Sequence, residues 1–156
     1  MKRFVSRGVV FLAGAVALPM SAPILPAYAY VDRAQDPRLN ILKRFFEALG
    51  CPASQYSSAF LEAADSFSLD WRLLPSLSYV ESTGGKAAAG NNFFGWDSGR
   101  ARFTSPVAAI RNVAERLSRG ARYHGKTLEQ KLAIYNPNPG YGAQVKRIMR
   151  RISPTE

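Results

Sequence analysis

Between residues 36 and 152 apolar side chains recur at intervals of three and four, run after run, and no run reads as a strand. That period belongs to helices that each bury one stripe, so the chain is constrained to pack helix on helix. Leu39, Leu42, Phe45, Phe46 and Leu49 form the first stripe, over 36–49; Asp36-Pro37 supplies an N-cap with proline behind it, and Gly50 suits the other end. A second helix is expected over 54–67, with Phe60, Leu61, Ala64 and Phe67 inward. A third is expected to start at an N-cap on Asp70 and to carry Trp71, Leu74, Leu77, Tyr79 and Val80 up to Glu81. Pro75 within it predicts either a kink or a later start. Ser105-Pro106 opens a fourth helix through Arg119, with Val107, Ile110, Val113, Ala114 and Leu117 at helical spacing. Thr127 caps a short fifth to about Tyr135, the Asn-Pro-Asn-Pro-Gly run over 136–140 breaks it, and a last basic helix follows over 141–152. The expectation is a small all-α domain of about six helices.

Residues 1–29 read as an export signal. Lys2, Arg3 and Arg7 precede an apolar run over 8–18, and Ala27-Tyr28-Ala29 forms a small-x-small cleavage box. The run falls short of the ~20 apolar residues of a spanning helix, and Pro19, Pro23 and Pro26 interrupt any extension of it. Cleavage after Ala29 is therefore expected, with an uncleaved anchor as the alternative, and with a periplasmic or extracellular destination. The remaining 30–156 makes one domain with one core.

Without Lys2, Arg3 and Arg7 the 21 basic residues fall to 18 against 11 acids, a formal charge of +7. Such a charge draws a protein to anionic envelope polymers or lipid headgroups; nucleic acid fits the charge, but export argues against it. Lys146, Arg147, Arg150 and Arg151 concentrate it on the last helix, as a solvated face or a binding one. Cys51 is the sole cysteine, so no internal disulfide staples the fold, and a buried place near a helix end is expected for it. With His124 the sole histidine, no metal site is expected, and no cofactor-binding motif is present.

Glu81 stands four residues after Leu77 and seven after Leu74, on the stripe that faces the core, in the last turn of its helix. Burial and the negative end of the helix dipole both raise a carboxyl pKa there. A proton donor to a glycosidic oxygen needs that tuning; the alternative is an ordinary solvated helix end. Five glycines and the Asn91-Asn92 pair then crowd into 83–99, as a loop that tolerates positive φ and close backbone approach.

The segment Leu73-Leu74-Pro75-Ser76-Leu77-Ser78-Tyr79-Val80-Glu81-Ser82-Thr83-Gly84-Gly85 resembles the helix-to-loop segment of the lysozyme-like superfamily, especially lytic transglycosylases and bacterial glucosaminidases. Asn91-Asn92-Phe93-Phe94-Gly95-Trp96 resembles the N-N-x-F-G loop of the glucosaminidase-like branch, and Tyr135-Asn136-Pro137 the Tyr-Asn element of transglycosylase clefts. Order and spacing agree over roughly 55–152. The resemblance implies a lysozyme-like fold acting on peptidoglycan strands; a monomer is expected, though no residue pattern fixes the oligomeric state. The resemblance makes Glu81 the catalytic acid/base and places Tyr135 near it as a second catalytic residue. It implies substrate contacts for Ser82, Asn91, Asn92, Phe94, Trp96 and Asn136. From the residues alone Ser82 is equally a helix-end hydroxyl, at least one of the two asparagines is expected to hold the loop, and at least one of Phe94 and Trp96 to pack in the core.

Two departures from the family pattern matter. The G-A-x-G-L-M-Q signature of the commonest transglycosylases is absent. No second carboxylate is evident, although glycosidases usually pair two: Asp97 reads as a turn residue, and Glu115, four residues from Arg111 and from Arg119, as a solvated ion-pair face. A single-carboxylate reaction ending in a 1,6-anhydro sugar is therefore expected. Hydrolysis, and a wall-binding protein without turnover, are the alternatives.

Overall fold

The computed structural model describes residues 35–154; the expected export signal over 1–29 lies outside them. Among the described residues there are six α-helices and no strand: α1 (Pro37–Ala48), α2 (Ser57–Ser66), α3 (Leu73–Ser82), α4 (Pro106–Arg119), α5 (Leu128–Tyr135) and α6 (Tyr141–Ile152). The protein is all-α. None of these helices is long and apolar enough to cross a membrane.

Local chemistry sets three of the six helix starts. Asp36 accepts the Arg38 amide at 2.9 Å and caps α1, and Gly50 follows the helix at φ +60°. Ser105 Oγ accepts the Ala108 amide ahead of α4, with Pro106 in the first turn. Thr127 and Gln130 form a reciprocal capping box at α5.

Three expectations are corrected. The second helix starts at Ser57 rather than Ser54, because Pro52–Tyr56 winds as a 3-10 turn ahead of it. The third starts at Leu73, beyond Asp70 and Trp71. Asp70 instead closes the preceding turn, accepting the Arg72 amide at 2.9 Å and pairing with the Arg72 guanidinium at 2.6 Å. That start puts Pro75 at the third helical position, where a backbone N–H has no partner within the helix to lose. Val107, expected on the inner stripe of α4, is exposed; the buried side of that helix is Ala109, Ile110, Val113, Ala114 and Leu117.

α3 is the centre of the domain. Leu73 through Ser78 are all buried along it, with α6 on one side and α2 on another, while α2 also packs on α4. Phe46 stacks on Phe60, and Phe60 meets Phe94 edge-on, so aromatic rings from α1, α2 and the glycine-rich loop share this core. Cys51 is buried there as well, and it explains one glycine: a Cβ on Gly84 would stand 2.8 Å from Cys51 Cβ. The loop after α3 is thereby pressed onto the core, and its far end is carried past the last turn of α3.

Candidate active site

α3 delivers Glu81 to the edge of the core. Its helical register leaves the carboxyl half-buried, between the buried face that holds Leu74 and Leu77 and the open end of the helix. Oε1 accepts a 2.6 Å hydrogen bond from the Tyr141 hydroxyl, donated from the first residue of α6. Oε2 faces Gly95 so closely that a Cβ on that glycine would stand 2.6 Å from it. Burial pushes the Glu81 carboxyl above the usual carboxylate range, and the Tyr141 bond, which favours the ionised form, pulls it part of the way back. Burial and the Glu81 contact raise the Tyr141 phenol, so it stays protonated and keeps donating.

Glu81 lines one cavity and lies against Gly95, a wall residue of a second. One, of about 520 Å³, is lined by Glu81 itself with Tyr141, Asn136, Asn138, Gln144 and Arg147. The other, of about 730 Å³, is lined by Gly95, Trp96, Tyr123, Tyr135, Asp97 and Arg116 among others. On its aromatic side Trp96 meets Tyr135 edge-on at 5.6 Å, and Tyr135 stacks, with the rings 9° apart, on Tyr141 of the smaller cavity. The Arg116 guanidinium lies 5.6 Å from the Trp96 ring centre. Flat rings near a half-buried carboxyl suit a ligand with alternating apolar faces and hydroxyls, the chemistry of a sugar ring.

Asp97, the nearest acid to Glu81 in sequence, lines the larger cavity, yet its carboxylate is exposed and tied to Arg100 at 2.7 Å, in a turn at φ +53°. Neither cavity carries a further acid. No cluster of ligating side chains among the described residues is placed to hold a metal ion.

The structure brings some of the expected site residues together and withdraws others. Glu81, Trp96, Tyr135 and Asn136 all line one cavity or the other. Tyr135, however, donates its hydroxyl to the Phe94 carbonyl at 2.6 Å, so the tyrosine on Glu81 is Tyr141, with Tyr135 stacked behind it. Ser82 is buried and lines neither cavity: its one hydroxyl proton lies between the Phe93 and Ser78 carbonyls, and its oxygen accepts the Gly85 amide. Both asparagines hold the loop. Asn91 donates to the Phe103 carbonyl, while Asn92, buried, bonds the Trp96 amide and carbonyl together. A loop without a backbone ladder needs such side-chain amides to satisfy its peptide groups. Phe94 is fully buried against Phe60 and is core.

Sequence reasoning missed Tyr141. It stands on the apolar stripe of α6 with Val145, Ile148, Met149 and Ile152, and there it reads as packing. Gly95 carried a fainter signal, as the glycine of the N-N-x-F-G pattern; the need for it is the room that Glu81 Oε2 takes. In comparisons with protein-family models, curated proteins and solved structures, the chain matches none.

Proposed function

We propose that the protein cleaves the glycan strands of bacterial peptidoglycan at β-1,4 bonds between N-acetylated amino sugars, as a lytic transglycosylase. It would do so outside the inner membrane, as an exported monomer. The observation that carries this reading is a half-buried carboxyl, raised by burial and held by one phenol, that lines one cavity and lies against Gly95 in the wall of a second that holds Trp96, Tyr123 and Tyr135. The order of sequence elements that resembles lysozyme-like enzymes supports it.

In the reaction Glu81 gives its proton to the bridging oxygen as the bond from C1 to that oxygen breaks. The substrate's own N-acetyl oxygen stabilises the cationic C1. Glu81, now ionised and steadied by the Tyr141 hydroxyl, takes the proton of the same sugar's C6 hydroxyl, and O6 closes on C1 as a 1,6-anhydro ring. The acid is restored for the next turnover. Engagement of Asp97 with Arg100 favours this route over one that needs a second carboxylate to direct water. No cofactor enters.

Glu81→Gln tests the proposal. It is expected to abolish release of soluble muropeptides from purified sacculi while the far-ultraviolet spectrum stays that of the wild type. Mass spectrometry of wild-type products is expected to show anhydro ends, one water lighter than reducing ends. Full activity in Glu81→Gln would refute the assignment, and reducing ends would replace the intramolecular step with hydrolysis.

A further inference from the structure

The cavity that holds Glu81 has a positive charge on its wall that the cleavage chemistry leaves unused. Arg147 lies on α6 one turn beyond Gln144, exposed, and both side chains line that cavity. Of the other basic residues of α6, Lys146 pairs with Glu129 at 3.2 Å, Arg151 lies over the Phe45 ring, and Arg150 is exposed but lines neither cavity. Among the described residues no acid pairs with Arg147 and it covers no ring. Glu81 is the only acid on the same wall, and it is not Arg147's partner. That separation matters, because a guanidinium bonded to Glu81 would stabilise the carboxylate and take away the proton the acid must donate. The influences on Glu81 are burial and the Tyr141 hydroxyl, with no cation among them. A guanidinium near the proton donor, yet not on it, is available to a ligand that brings its own anion, and its planar fork matches a carboxylate.

We infer that Arg147, assisted by the Gln144 amide, receives a carboxylate carried by the sugar strand and so determines which strands are cleaved. The inference rests on the peptidoglycan reading above. A peptidoglycan strand presents carboxylates from two sources: the lactyl ether on every second sugar once its stem peptide is removed, and the acids of the stem where it is still attached. A strand of N-acetylglucosamine alone presents none.

Three strands of equal length separate the cases: one stripped of peptide, one still bearing its stems, and a neutral N-acetylglucosamine oligomer. Initial rates are measured on each with the wild type, Arg147→Gln and Arg147→Lys. Relative to the neutral oligomer, Arg147→Gln is expected to lose about tenfold in kcat/KM on the carboxylate-bearing strand, as fits one charge-assisted contact. The loss is expected in KM, since the contact exists before bond breaking as well as during it. Lysine, which keeps the charge without the fork, is expected to recover part of it. A loss confined to stripped strands assigns the lactyl carboxylate, and one confined to stem-bearing strands assigns the peptide. Equal effects on all three strands, with the wild type active, would overturn the role of Arg147 and leave the cleavage reading intact. A wild type that cleaves none of them would remove both.

Discussion

Substituting Gly95 by alanine separates the cost of backbone geometry from the cost of disturbing Glu81. Gly95 sits at φ +58°, where a side chain costs roughly 1–2 kcal/mol. A Cβ there would stand 2.6 Å from Glu81 Oε2, whereas ordinary contact begins at 3.4 Å, so the carboxyl must retreat by about 0.8 Å. The carboxyl is the far end of a flexible side chain, so the retreat adds little to the stability cost. For catalysis the same movement is expensive: misplacing a reacting group by ~1 Å costs on the order of 100-fold. Gly99 supplies the control, since it also has positive φ, at +79°, but a Cβ there meets nothing within 4 Å. Gly95→Ala and Gly99→Ala are therefore expected to lower the melting temperature similarly, by about 4–10 °C in circular dichroism. Only Gly95→Ala is expected to slow release of fragments from sacculi, by about 100-fold. Carbon NMR of the Glu81 carboxyl is expected to show an altered titration in Gly95→Ala and not in Gly99→Ala. Equal activity and equal titration in the two variants would refute the claim that the loop glycine makes room for the acid.

Other consequences follow from the same contacts. Tyr141→Phe removes the donor that favours ionised Glu81, so the limb of the pH–rate profile on which activity falls as Glu81 loses its proton is expected to move to higher pH. An unmoved limb would count against the bond. Because folding raises the Glu81 pKa, stability associated with its protonated form is present below the unfolded pKa and is lost as pH rises through the folded one. Glu81→Gln, which cannot ionise, is therefore expected to melt above the wild type at neutral pH and level with it in acid. Ser82→Ala removes a hydroxyl with three partners in the turn after α3 and is expected to cost about 1–3 kcal/mol in chemical denaturation. Its KM is expected to stay unchanged, because Ser82 does not line either cavity.

Legibility along the chain followed the range of the interactions involved. Caps are local, and Asp36, Ser105 and Thr127 each close a bond within three residues, so those helix starts were readable from composition and spacing. The start of α3 was not, because Asp70 has two local uses, capping a helix or closing a turn. Pairing with Arg72, which also bonds the distant Ser153 carbonyl, goes with the turn. Glu81 was legible because its position on the stripe and at the helix end are both properties of one helix.

The partner of Glu81 belonged to another order of information. Tyr135 and Tyr141 are both aromatic residues at an edge of the same Asn-Pro-Asn-Pro-Gly break, and nothing in their spacing says which hydroxyl reaches across to α3. Sequence alone determined the number of helices, most of their breaks and an acid on a core-facing stripe at a helix end, because periodicity and capping act within one or two turns. Only the tertiary structure decided that Tyr141 holds that acid, that Ser82, Asn92 and Phe94 turn inward, and that Gly95 leaves the carboxyl room. Each of these depends on the packing of α6 and the glycine-rich loop around α3, where Glu81 and Tyr141 meet from sixty positions apart.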